Sequence, residues 1–81
     1  MRWLLITIFI FVPIDDSKEV RYAHTQGGEY FDTMYNCVKA EQANNLMIQQ
    51  IYEEFGGPKP HKGWSMYMEY RCVDKDTDPV N

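Results

Sequence analysis

The sequence predicts a small α+β protein, in which an antiparallel sheet with ββαβ element order carries one long helix packed on one face. Residues 3–12 form an apolar run rich in β-branched and aromatic residues, residues 32–55 carry helical periodicity, and residues 65–73 alternate as a strand does. The only two cysteines, Cys37 and Cys72, fall on the expected inward sides of the helix and of the last strand. We therefore expect these two elements to pack together.

Length and charge limit the possible functions. Eighty-one residues make one domain, which we place at residues 1–73, followed by an acidic tail at 74–81. Hydrophobic residues are 44% of the chain, which excludes a disordered protein by composition. The net charge is −4 and only eight residues are Lys or Arg, so we expect no nucleic-acid partner.

The apolar run at residues 3–12 is predicted to be a buried strand. It is shorter than the roughly 20 residues that a membrane-spanning helix needs. Arg2 before it gives the run the look of a secretory signal, but no small-x-small cleavage site follows. A membrane-associated or targeting segment is the alternative to the strand.

Both faces of this first strand are apolar. One row is Leu4, Ile6, Ile8, Ile10 and Val12, and the other is Trp3, Leu5, Phe9 and Phe11. Because one helix covers only one face of a sheet, the second row needs other cover. We predict an interaction surface at Trp3, Leu5, Phe9 and Phe11, covered by a second copy, a host protein or a membrane. The alternative is that loop 56–63 or the tail folds across this row.

The middle of the chain is predicted to form a second strand, a turn and the helix. Residues 19–25 alternate as a half-exposed strand, and Gly27-Gly28 ends it with a turn of unusual dihedral angles. The helix is expected to begin near Asp32 or Thr33 and to end at Gly56. The side chains expected to face inward are those of Met34, Cys37, Ala40, Asn44, Met47, Ile48, Ile51 and Phe55.

Among the surface loops, the one at residues 57–63 is the best candidate for binding a partner. It is stiffened by prolines, carries a local positive charge from Lys59, His61 and Lys62, and leads directly into Trp64. Tryptophan is enriched at binding hot spots, so Trp64 joins the predicted interaction surface. Alternatively, Trp64 caps the core, because it shares the inward parity of the last strand.

The cysteine pair has two interpretations. Cys37 and Cys72 form a disulfide in an oxidising compartment, or remain two thiols in contact within the core of a cytosolic protein. With His24 and His61 they supply the ligand types of zinc, but not the closely spaced pairs of compact zinc sites. No catalytic motif is present, and we expect no enzyme activity, no metal and no cofactor.

The start of the helix resembles a group of small proteins of tailed bacteriophages. These proteins open with an apolar strand, enter a helix through F-x-T-x-x-x-C-x-x-A, and place a second cysteine in a C-terminal strand. The matching positions here are residues 1–5, Phe31, Thr33, Cys37, Ala40 and Cys72. The resemblance implies a compact strand–strand–helix–strand fold and no particular activity, substrate or cofactor.

The expected function is that of a small phage-encoded accessory protein that acts by protein–protein interaction in the cytoplasm of the host. The two-faced apolar strand is the observation behind it. One alternative is an exported or membrane-associated protein with a disulfide bond. Another is a small metal-dependent enzyme that uses His24, His61 or the cysteines.

Overall fold

The computed structural model describes residues 3–15 and 18–74. The elements in chain order are β1 (Trp3–Pro13), β2 (Arg21–His24), β3 (Glu29–Phe31), α1 (Met34–Phe55) and β4 (Trp64–Asp74). The strands form one antiparallel sheet on which the helix packs, so the predicted small α+β fold is confirmed. The predicted tail lies outside the described residues except for Asp74, which is the last residue of β4.

β1 is the central strand of the sheet. β4 pairs with it over its full length on one side, and β2 and β3 follow one another along the other side. Ile6 and Ile8 are 2% and 1% exposed, and with Leu4 they form the centre of the core.

β3 was not predicted, because three residues are too few to show an alternating pattern. The chain between β2 and β3 is two residues longer than the part of β1 that lies opposite it. Leu5 and Ile8 are three residues apart in β1, whereas their partners Glu29 and His24 are five residues apart. Thr25 bridges this irregularity. Its backbone N–H donates to the Thr7 carbonyl at 3.0 Å, and its hydroxyl accepts from the Thr7 N–H at 3.2 Å.

The register assigns the side chains of β1 and β4 to two faces. Leu5, Phe9 and Phe11 lie opposite Cys72, Met68 and Met66 in turn, and neighbours of this kind share a face. The other face carries the core row of Leu4, Ile6 and Ile8, extended by Ile10 and Val73. The row predicted as an interaction surface is therefore the row that shares its face with Cys72.

The helix begins and ends where the capping residues of the sequence predict. Thr33 has extended backbone angles, and its hydroxyl accepts a hydrogen bond from the Asn36 N–H at 3.2 Å. Gly56 takes a left-handed conformation with φ of 85°, and its N–H donates to the Tyr52 carbonyl at 2.7 Å. Within the described ranges, no helix has the length and apolar character needed to cross a membrane.

The rotation of the helix about its axis differs from the prediction. Cys37 is buried as expected, but four members of the predicted inward stripe are exposed, namely Met34, Met47, Ile51 and Phe55. The side chains that reach β4 are instead Glu41, Asn45 and Tyr52. The reason is that the helix docks onto backbone groups of β4, which require polar partners.

Candidate protein-binding site

The candidate site lies where β1 ends and β4 begins. Phe11 pairs with Met66 and Pro13 pairs with Trp64, so the aromatic rings of Phe11 and Trp64 belong to the same face. Both side chains are half-buried, and that of Met66 is exposed. This end of the sheet therefore offers an apolar floor that the fold covers only in part.

A tight turn positions the loop beside this floor. His61 and Trp64 exchange two backbone hydrogen bonds of 2.7 and 3.0 Å around Lys62 and Gly63, which have φ of 52° and 87°. Two successive left-handed residues are the signature of a type I′ turn. The Ile14 N–H donates to the Gly63 carbonyl at 3.0 Å, which ties the turn to the end of β1.

Four of the eight Lys and Arg residues of the chain gather around this floor. The Lys18 ammonium lies 5.3 Å from the centre of the Trp64 ring, a cation–π distance. Arg21, Lys59 and Lys62 line the adjoining cavities. No Asp or Glu among the described residues lines them, so the site is basic although the chain is acidic.

We call this site the Phe11–Trp64 cleft. It comprises two adjoining cavities of about 360 and 440 Å³, which share Phe11, His61 and Trp64. The full lining is Phe11, Arg21, Pro58, Lys59, His61, Lys62, Trp64 and Met66. An aromatic floor with a cationic rim suits an anionic segment that also carries an apolar side chain.

The residues of the predicted interaction surface do not form one site. Phe11 and Trp64 meet in the cleft, and Phe9 lies two residues along the same row of β1. Leu5 is 5% exposed and belongs to the core, which corrects its assignment to a surface. Trp3 pairs with Asp74 at the other end of β1, about 30 Å from Trp64 at the usual rise of a strand.

Two cationic residues of the cleft region, Lys18 and Arg21, carry no sign in the sequence that they lie near Trp64. Lys18 lies between β1 and β2, and Arg21 is the first residue of β2, so both are far from Trp64 in the chain. Loop 57–63 showed its own positive charge in the sequence. Only the hairpin pairing of β2 with the end of β1 brings Arg21 opposite Phe11.

A larger groove of about 700 Å³ runs between α1 and β4. The rings of Tyr52 and Tyr67 meet edge to face there, with centroids 6.1 Å apart. The Tyr52 hydroxyl accepts a hydrogen bond from the Met68 N–H at 3.2 Å, so this ring serves the packing of the helix. Glu53 and Glu69 border the groove, and the Glu69 carboxylate pairs with Arg71.

The structure brings the two cysteines together and leaves the histidines elsewhere. Cys37 and Cys72 are joined as a disulfide with Cα atoms 5.8 Å apart, which confirms the predicted meeting of the sulfurs. The His24 Nδ1–H donates to the Thr25 carbonyl at 2.7 Å, and His61 lies in the cleft. In the described part of the chain, no group of three or more His, Cys, Asp or Glu residues is placed to hold a metal ion.

Comparison with known proteins gives no relative from which a role could be transferred. No protein-family model, no curated protein and no solved structure matches the chain.

Proposed function

We propose that this chain is a small accessory protein, encoded by a phage as the resemblance suggests, and that it acts by binding another protein at the Phe11–Trp64 cleft. The observation that supports the proposal is the concentration of positive charge around a half-buried aromatic floor in a protein of net charge −4. The partner segment is acidic and anchors one apolar side chain between the rings.

The conformation of Lys62 supports the same proposal. A lysine in the left-handed region costs about 1–2 kcal/mol relative to a residue of ordinary conformation, whereas glycine adopts it without strain. Strained non-glycine residues cluster at functional sites. At position 62 the lysine adds a cation to the rim of the cleft, which a glycine would not.

The proposal is tested with two synthetic peptides, EDLFDE and its charge-reversed counterpart KRLFRK, each acetylated and amidated. We expect the acidic peptide alone to bind, to shift the NMR signals of the Trp64 indole, and to bind more weakly at high salt, which screens the cationic rim. Trp64→Ala should weaken binding at least about tenfold, as the loss of a hot-spot aromatic does.

Two further variants serve as controls. Lys62→Asn removes one charge but keeps a residue that tolerates the left-handed conformation, so it should weaken binding without loss of stability. Trp3→Ala changes the tryptophan at the far end of β1 and should leave the affinity unchanged. Equal binding of both peptides, or equal affinity of Trp64→Ala and the wild type, would contradict the proposal.

A second candidate is an exported protein with a structural disulfide, and the observation that favours it is the Cys37–Cys72 bond. Bonds of this kind persist in oxidising compartments. Mass spectrometry of protein alkylated at the moment of lysis of its native host tests this reading. A chain that carries two alkyl groups would place it among reduced, cytosolic proteins.

A further inference from the structure

An apolar stripe on α1 lies beside the side of the helix that binds β4. Met47, Ile51 and Phe55 follow one another at four-residue steps, so they line one side of the helix. Their exposed fractions are 50%, 46% and 70%. The side chains that bind β4, such as Glu41 and Asn45, occupy a neighbouring side. The stripe is thus available to a second molecule.

The size of the side chains changes steadily along this side of the helix. Ala40 and Ala43 continue the stripe towards the N-terminus, and Phe55 ends it. The axes of packed helices lie about 8–10 Å apart, and large side chains of one helix fit best into the gaps beside small side chains of the other. In an antiparallel pair of these stripes, the large side chains of each helix pack against the small ones of the other. A symmetric parallel pair would instead place Phe55 against Phe55 and Ala40 against Ala40.

The charges of the helix favour the same arrangement. Lys39 is the single cation of α1, and Glu53 and Glu54 lie in its last turn, which has no basic residue. Carboxylates at the C-terminal end of a helix are disfavoured by the helix dipole. In an antiparallel pair, Lys39 of each copy lies near Glu54 of the other, and the two helix dipoles point in opposite directions. Both effects offset the unfavourable interaction between Glu54 and the dipole of its own helix.

We propose that two copies of this chain associate through an antiparallel pairing of their α1 helices, with the two-fold axis close to Met47. The contact sets Ile51 of each copy against Ala43 of the other. It is independent of the Phe11–Trp64 cleft and of the function proposed for it. A symmetric pair of this type is closed, so association stops at the dimer.

Cysteine cross-linking tests the axis directly. Met47→Cys lies near its own copy in the antiparallel dimer, so mild oxidation should yield disulfide-linked dimers on a non-reducing gel. Phe55→Cys lies eight residues from Met47, and the two copies of that residue are then about 24 Å apart, so this variant should remain monomeric on the same gel. The wild type, whose two cysteines are already joined, controls for disulfide exchange.

Charge exchange tests the pairing of the helix ends. In sedimentation experiments at several concentrations, Lys39→Glu should weaken the dimer about threefold to tenfold, because two symmetric charge pairs become repulsive. The double variant Lys39→Glu/Glu54→Lys should recover the wild-type affinity. Lys39 also lies 5.3 Å from the Tyr35 ring centre, and Tyr35→Leu separates that contact from the effect of charge.

Several outcomes overturn this proposal. Cross-linking of both cysteine variants indicates a parallel pair, and cross-linking of neither, with a monomer at all concentrations, excludes the interface. The stripe would instead bind a membrane surface if the wild type is monomeric and co-sediments with phosphatidylcholine–phosphatidylglycerol vesicles, whereas Met47→Glu does not. Trp64→Ala should dimerise like the wild type, so failure of peptide binding and failure of dimerisation are told apart.

Discussion

At the scale of single residues, Gly28 is the position where the fold leaves least room. A Cβ atom built there would lie 3.0 Å from the Leu5 carbonyl carbon and closer still to its oxygen, whereas one built on Gly27 meets nothing within 4 Å. From the sequence, both glycines are expected to have unusual dihedral angles. The glycines with positive φ among the described residues are Gly56, Gly57 and Gly63, so close approach of the backbone explains Gly28.

The different space around Gly27 and Gly28 is tested by the same substitution at each position. Gly28→Ala should lower the free energy of unfolding by about 2–3 kcal/mol, because backbone on both sides of the contact must move and the pairing of β3 with β1 is disturbed. Gly27→Ala should change it by less than about 0.5 kcal/mol. Urea denaturation measures both. A comparable loss for the two variants would show that the approach to Leu5 is not tight in solution.

At the scale of elements, α1 covers the outer edge of β4 in place of another strand. Asn45 accepts a hydrogen bond from the Tyr70 N–H at 2.7 Å and donates to the Tyr70 carbonyl at 2.9 Å, as a neighbouring strand would. Glu41 accepts from the Cys72 N–H at 2.8 Å. Covered edges resist pairing with other chains, so the helix protects this side of the sheet.

We therefore predict a large effect at Asn45 and a small one at its neighbour. Asn45→Ala leaves two backbone groups of Tyr70 without their partners and should cost about 1–3 kcal/mol of stability. Among the described residues, the Asn44 side chain bonds only to Ala40 within the helix, so Asn44→Ala should be neutral within about 0.5 kcal/mol. Hydrogen exchange at the Tyr70 amide, measured beside denaturation, should accelerate in the first variant alone.

The elements also show how far a sequence predicts this fold. Local chemistry placed both ends of the helix, because Thr33 and Gly56 act on neighbouring backbone groups. The predicted rotation of the helix is wrong, because the spacing of apolar residues gives no information on polar side chains that bind the edge of a strand. For the cleft, Phe11, Trp64 and loop 57–63 were predicted from the sequence, while Arg21 reaches it only through the pairing of β2 with β1.

At the scale of the whole molecule, the chain is flat, with extents of 41 × 29 × 15 Å. A thin arrangement buries few side chains completely, and a small core benefits from a covalent link. The Cys37–Cys72 bond joins α1 to β4 across a sequence separation of 35 residues. It fixes the helix at the same edge where Glu41 and Asn45 bind, so covalent and polar contacts support one another.

The last prediction follows from that link. Removing a cross-link of this span should lower the free energy of unfolding by about 3–4 kcal/mol, because the unfolded chain regains the entropy of an open loop. Cys37→Ala/Cys72→Ala should show this loss in denaturant without added reductant. The wild type should show a similar loss after a dithiol has reduced it, since two thiols then replace the sulfur–sulfur bond, whereas the same reductant should leave the double variant unchanged. If the double variant unfolds at the wild-type denaturant concentration, the polar contacts of Glu41, Asn45 and Tyr52 are sufficient by themselves to hold α1 on β4.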